Sequence, residues 1–200
     1  MITRGRFQSI FDLAEEIGAW DERPVAPPFA DPQVTMSRGS GAQPFFLICS
    51  KDTVVIQATG SADAHLRYTG VRHTRMEVGD MVYVPAGVPC RIEPNEESVH
   101  LRFKAINPGL EGIAWFCRRC DTEVWRYEFD AEAQPVQQGY LDGCREFNAD
   151  KSHRTCGGCD TVHPRWTSRD TAGRRSSKLC SSTTRRRRPP EGHPGIVRRP

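Results

Sequence analysis

The sequence is short of what several protein classes need. No run of 18 apolar residues occurs anywhere in its 200, which excludes a helical membrane span. Met1–Gly18 lacks the long apolar core of a signal peptide, so the expected compartment is the cytoplasm. Apolar residues make up only 37% of the chain, enough for one domain of modest core and a small second one. No internal repeat is visible. Between Trp20 and Ala64 there is no histidine.

Cysteine, by contrast, occurs eight times. In a cytosolic chain that number points to metal or reactive thiols before disulfides. Charge is present but unevenly spread. Residues 161–200 carry 11 Lys/Arg against 2 Asp/Glu, a net +9, while residues 1–160 carry 17 against 23, a net −6. Beyond Pro164 the chain is rich in Arg, Ser and Thr and nearly free of aliphatic residues, so it is expected to be a disordered basic tail. Arg185–Arg188 has no interleaved aromatics and no scaffold beneath it. A solvated run is the simpler reading, and nucleic acid is not the expected partner.

Apolar residues at 7, 10, 11, 13, 14 and 17 predict a helix within Phe7–Trp20, with Ser9 as N-cap. Arg23–Pro32 holds four prolines and reads as an extended connector. Short strands are predicted at Gln33–Met36, Phe45–Cys49, Val54–Ala58, Leu66–Tyr68, Thr74–Glu77, Met81–Val84, Arg91–Glu93 and His100–Lys104. Their spacing and Gly/Pro/Asp/Ser turns suggest an antiparallel barrel or sandwich. At the centre stands Gly79-Asp-Met-Val-Tyr-Val-Pro-Ala-Gly-Val-Pro-Cys90, a strand, a Pro-x-Gly turn and a second strand. Its pattern resembles the second motif of cupin barrels, where the last place holds a histidine metal ligand and here holds Cys90.

After Asn107 the character changes. Cys117-Arg-Arg-Cys120 and Cys156-Gly-Gly-Cys159 are two C-x-x-C pairs 35 residues apart. Each spacing lets a tight turn aim two thiolates at one point. Two such turns make a tetrahedral four-sulfur site suited to Zn²⁺ or iron, with a redox dithiol as the alternative. Cys144, between the pairs, is expected to be free.

Taken together, these pieces resemble 3-hydroxyanthranilate 3,4-dioxygenase of the bacterial type, a cupin with a C-terminal rubredoxin-like cysteine module. The resemblance runs from about Phe7 to Pro164. It is carried by Val55-Ile-Gln-Ala-Thr-Gly60, Glu77-Val-Gly-Asp80, Val84-Pro-Ala-Gly-Val-Pro89, Pro108-Gly-Leu-Glu-Gly112, Trp115-Phe-Cys-Arg-Arg-Cys120, Phe147 and Arg154-Thr-Cys-Gly-Gly-Cys-Asp-Thr-Val-His-Pro164. It implies a mostly-β cupin barrel (a double-stranded β-helix) with a short N-terminal helix over residues 1–107, and a metal-cysteine module over 108–164. Residues 165–200 form the tail. The resemblance also implies a homodimer and O₂-dependent, extradiol-type ring opening of a small aromatic substrate at non-haem Fe(II), in the kynurenine route to quinolinate and NAD.

The departures fall where that chemistry belongs. The family's two histidines and one glutamate map onto Leu47, Cys90 and Thr53, and its substrate-carboxylate arginines map near Gln43 and Pro94. Leu has no donor atom, and a neutral Thr hydroxyl is a poor substitute for a carboxylate. Catalytic Fe(II) is therefore not expected in the barrel. The expected activity is weak or absent, and the alternative function is a non-catalytic cupin that binds a small aromatic molecule or a partner protein. Cys49 and Cys90 take inward positions by spacing. They are candidate pocket thiols for a soft metal, a redox pair or a nucleophile, or else two small hydrophobes filling the barrel. His65, His73 and His100 are expected at the surface or hydrogen-bonded. His153 and His163 are expected to support the last cysteine pair.

Overall fold

The computed structural model describes residues 9–17, 22–39 and 43–167. Helix α1 spans Ile10–Glu16 and is capped as expected, with the Asp12 N–H donating to Ser9 Oγ at 3.4 Å. Eleven strands follow: β1 Arg23–Pro24, β2 Gln33–Gly39, β3 Phe46–Cys49, β4 Thr53–Thr59, β5 Ala62–Leu66, β6 His73–Met76, β7 Met81–Val84, β8 Cys90–Pro94, β9 Ser98–Lys104, β10 Leu110–Phe116 and β11 Glu123–Asp130. Helix α2, Val136–Ala149, and a single 3₁₀ turn at Ser152–Arg154 complete the described chain.

The strands form two antiparallel sheets, in the orders β1-β2-β9-β4-β7 and β11-β10-β3-β8-β5-β6. From β3 to β5, and again from β7 to β10, successive strands change sheet. That alternation winds the chain around a single interior, the double-stranded β-helix arrangement of cupin-type jelly rolls. Strand β4 shows why the sequence folds this way: Thr53, Val55 and Gln57 point inward and are buried, while Val54 and Ile56 lie half-buried on the outer face. Under α1, Leu13, Ala14 and Ile17 pack on Met36 and Val99 and close one end of the outer face.

Two expectations, at Tyr68 and at His100, need correction. The strand expected at Leu66–Tyr68 ends at Leu66, because Tyr68 adopts a left-handed backbone (φ 61°) that no ladder accommodates. Strand β10, the first element of the span expected for the second module, pairs with β3 over Glu111–Ala114. His100, expected at the surface or hydrogen-bonded, is buried inside the barrel with Nδ1 unpartnered among the described residues. Of the expected helix, Phe7 and Trp20 lie outside the described residues, as does the basic tail from residue 168 onward.

Helix α2 lies on β10 and β11 at unusually close range. A Cβ on Gly143 would come within 2.6 Å of Ile113 Cδ1, and one on Gly139 would overlap the Phe129 ring. The two glycines, one turn apart, let the helix backbone approach the sheet. Behind them Phe147 stacks on Trp115 with ring centroids 4.1 Å apart.

Candidate functional sites: a four-cysteine centre and the barrel interior

Two places concentrate chemistry. The first is built by two near-identical turns. The Cys117 N–H donates to Thr122 O and the Asp121 N–H to Cys117 O; the Cys156 N–H donates to Thr161 O and the Asp160 N–H to Cys156 O. Asp121 and Asp160 both sit in left-handed backbone, at φ 64° and 56°. Each first cysteine accepts a 3.4 Å bond from the backbone N–H two residues on, at Arg119 and Gly158. Each second cysteine meets a Thr hydroxyl, Cys120 with Thr122 at 3.3 Å and Cys159 with Thr161 at 3.2 Å.

The turns face one another. Cys117 and Cys159 sulfurs lie 3.6 Å apart, Cys120 and Cys156 sulfurs 3.4 Å, and all four fall within 4.8 Å. Sulfurs bound tetrahedrally at about 2.3 Å from one ion stand roughly 3.8 Å apart, so the set fits Zn²⁺ or iron. Donated hydrogen bonds favour the thiolate form a metal requires: the Thr122 hydroxyl and backbone draw the Cys120 thiol down to about 6. His153 and His163 flank the second turn with different contacts. His153 Nδ1 bonds Glu146 O at 2.8 Å while its ring stacks on Trp125, and His163 Nε2 has no partner among the described residues.

The second place is the barrel interior. Strand β3 brings in Leu47 and Cys49, β4 brings Thr53 and Gln57, β8 brings Cys90, and β9 brings His100, Arg102 and Lys104. Leu47 and Cys90 are direct cross-strand partners. Of the three positions to which the resemblance assigns iron ligands, Leu47 and Cys90 are cross-strand neighbours, and Thr53 and Cys90 each adjoin the Arg102 guanidinium. Leu47 offers no donor. The Thr53 hydroxyl is already taken by Arg102 Nη1 at 3.3 Å. Burial raises the Cys90 thiol, against the pull of the adjoining Arg102 guanidinium. A fully buried cation among these residues opposes a second one, so the interior does not fit Fe(II). Cys49 is also buried and pushed up to about 11 by burial. It and Cys90 are both free thiols, and both lie within electrostatic reach of Arg102.

What fills the interior instead is an ion cluster that the sequence did not announce. Lys104 Nζ contacts Glu22 Oε2 at 3.0 Å, both Glu111 oxygens at 3.0 and 3.1 Å, and the Tyr140 hydroxyl at 3.4 Å. Tyr140 in turn donates to Glu111 Oε2 at 3.1 Å. Burial alone would raise the Glu22 carboxyl, but Lys104 and Arg102 hold it below its ordinary value. Burial, reinforced by Arg102, presses His100 down to about 4, so its imidazole is neutral at pH 7. Two carboxylates offset two cations, and the cluster is electrically balanced. Beside it, between Glu22, Ser37, Gln43, Leu47, His100 and Tyr140, is a cavity of about 10 Å³, room for roughly one water.

No family model matches the chain. A 91-residue stretch, 43% of the chain, is 33% identical to 3-hydroxyanthranilate 3,4-dioxygenase of Brucella anthropi, and spans 48% of that protein. The chain therefore covers about half the length of the curated relative it matches. Among solved structures, hydroquinone 1,2-dioxygenase from a Sphingomonas species, with 4-hydroxybenzoate bound, aligns over 50% of this chain and 74% of its own at 16% identity and TM-score 0.43. A cupin-2 domain protein from Shewanella frigidimarina aligns over 49% of this chain and 93% of its own at 19% identity and TM-score 0.42. The resemblance to the 3-hydroxyanthranilate dioxygenases is supported by the sequence match; its extent is less than half of either chain. No helix among the described residues is long and apolar enough to cross a membrane.

Proposed function

We propose that this chain is a diverged relative of 3-hydroxyanthranilate 3,4-dioxygenase whose barrel binds a small molecule without iron-dependent ring opening, and whose four cysteines hold one structural metal ion. The observation that carries this reading is the side-chain set at the pocket floor: Leu47 against Cys90, and Thr53 engaged by the buried Arg102 guanidinium. Ring cleavage needs substrate and O₂ on one iron, and the Leu47, Thr53 and Cys90 side chains offer no carboxylate or imidazole to hold it. The same reading places the protein in the cytoplasm, as a homodimer handling small aromatic molecules of the kind that feed quinolinate formation. A ring enters the water-sized cavity only if Glu22 or a neighbour withdraws.

The test is a metal count together with oxygen uptake. Purified protein supplied with Fe(II) is expected to hold one metal ion per chain and to consume no O₂ above background with 3-hydroxyanthranilate. A second, barrel-bound iron with turnover in the ordinary enzyme range, about 1–10³ s⁻¹, would overturn the proposal.

A further inference from the structure

The two cysteine turns are alike in backbone but not in what braces them. Asp121 and Asp160 hold equivalent left-handed places, one after each second cysteine. The Asp160 side chain makes no hydrogen bond or ion pair among the described residues, whereas Asp121 is gripped by the barrel. Arg67 and Arg72 stand at the two ends of the loop between β5 and β6. Arg67 Nη1 pairs with Asp121 Oδ1, and Arg72 Nη1 donates to Oδ2 at 3.2 Å, so each carboxylate oxygen has its own guanidinium. The Asp121 backbone N–H in turn donates to Cys117 O at 2.9 Å. Between the arginines, the Tyr68 hydroxyl donates to Glu123 Oε2 at 3.0 Å, and Arg126 holds that carboxylate with bonds of 2.9 and 2.7 Å. The Arg67 guanidinium also lies 4.9 Å from the ring centroid of Phe116, the residue just before Cys117. The loop thus meets the first turn at Phe116, Asp121 and Glu123.

Resting on the reading above that the four cysteines hold one metal ion, we propose that Arg67 and Arg72 are positioning residues for that centre, and that the β5–β6 loop and the ion are coupled through Asp121. Left-handed backbone is a minority conformation for a residue with a side chain. Two arginines on the Asp121 carboxylate fix it there and keep the Cys117–Cys120 turn aimed at the other pair. Linkage makes the effect mutual: what the loop adds to the hold on the ion, the ion returns as order in the loop. The loop is tied to the barrel interior as well, because Leu66, next to Arg67, is the cross-strand partner of Cys90. Exposure bounds the strength. The Arg72 side chain is 68% exposed and that of Asp121 46%, so the coupling is severalfold rather than many orders of magnitude.

Competition for Zn²⁺ between the full chain and a zinc-binding dye is the test. Changing Arg67→Gln and Arg72→Gln together is expected to weaken zinc retention about three- to tenfold. Asp121→Asn keeps a residue that tolerates left-handed backbone and removes a negative charge beside the thiolates. Electrostatics alone would then tighten the ion, whereas the coupling weakens it, and adding this change to the arginine pair costs nothing further. Arg119→Gln removes a charge from the same turn, where the Arg119 side chain makes no ion pair among the described residues, and should leave retention unchanged. Amide exchange over residues 66–72 is the second readout. It should quicken when zinc is withdrawn from the native chain, and be fast with or without zinc in Asp121→Asn. Native retention in the arginine variant, tighter retention in Asp121→Asn, or an equal loss in Arg119→Gln overturns the proposal. A native chain that takes up no zinc sinks the metal reading and the coupling with it; zinc held equally by native and variant chains sinks only the coupling.

Discussion

The cysteine centre and the barrel interior differ in how they handle charge. At the first, four sulfurs from two turns converge, and the Thr122 and Thr161 contacts lower the Cys120 and Cys159 thiols while burial raises that of Cys156. Such a set is costly to assemble unless a cation joins it. At the second, the chain has supplied its own cations, and Arg102 and Lys104 are matched by Glu22 and Glu111. On the reading proposed above, one site is completed by an ion and the other by the protein. The proposal has a folding consequence: metal binding would then be part of the stability of the module, whereas the interior of the barrel has its own salt bridges.

The largest expected effect tests the first half of that contrast. Cys156→Ser should lose the metal and loosen the region around the 3₁₀ turn and α2, read as metal content near zero and protease sensitivity after Phe116. Unchanged metal content in that variant would break the comparison. Next comes Lys104→Ala, which strands the Glu22 and Glu111 carboxylates in the interior. A loss of about 3–5 kcal/mol in urea unfolding is expected, and a loss under 1 would mean the cluster is not balanced as described.

Acid should act on the barrel in the same sense and to a smaller extent. His100 has a folded value of about 4, below its ordinary 6.5, so the unfolded chain binds the extra proton. Stability from this group is fully present above about 6.5 and is lost as pH falls from there to 4, by roughly 3 kcal/mol. His100→Gln should flatten that slope; a slope unchanged in the variant would remove His100 from the interior account. The smallest effect concerns the seam between the two regions. Gly139→Ala forces a methyl group into the Phe129 ring and should cost about 1–3 kcal/mol without altering metal content. An unaffected melting temperature would show that α2 is held less closely than the structure has it.

Much of this was legible in the sequence, for physical reasons that are themselves uneven. The C-x-x-C spacing announces a sulfur site because two thiolates on one turn need only local geometry. The alternation in Thr53–Thr59 and the Pro85-Ala86-Gly87 turn announce strands for the same reason. Strand β10 was not seen, because Ile113–Phe116 is buried on both faces and shows no alternation. Helix α2 was not seen: Gly139 and Gly143 are poor helix formers, and it is the close approach to the sheet that accounts for them. Nor could the ion cluster be read: Glu22, Lys104, Glu111 and Tyr140 come together across up to 118 positions of chain, and no local pattern marks them as partners. His100 was misplaced because its neighbours Val99 and Leu101 are equally apolar, which leaves the inward face of β9 undecided.

The aromatic seam under α2 has a practical consequence. Trp115 and Trp125 lie with ring centroids 5.7 Å apart, Phe147 stacks on the first and His153 on the second, and Trp166 packs against the same cluster. Three of the four tryptophans in the chain therefore sit at the junction between barrel and cysteine turns. His153 leads directly into the second turn, three residues before Cys156. If the four cysteines hold the proposed ion, its withdrawal is expected to change the surroundings of these indoles, so the intrinsic emission of the protein would serve as an optical gauge of that junction.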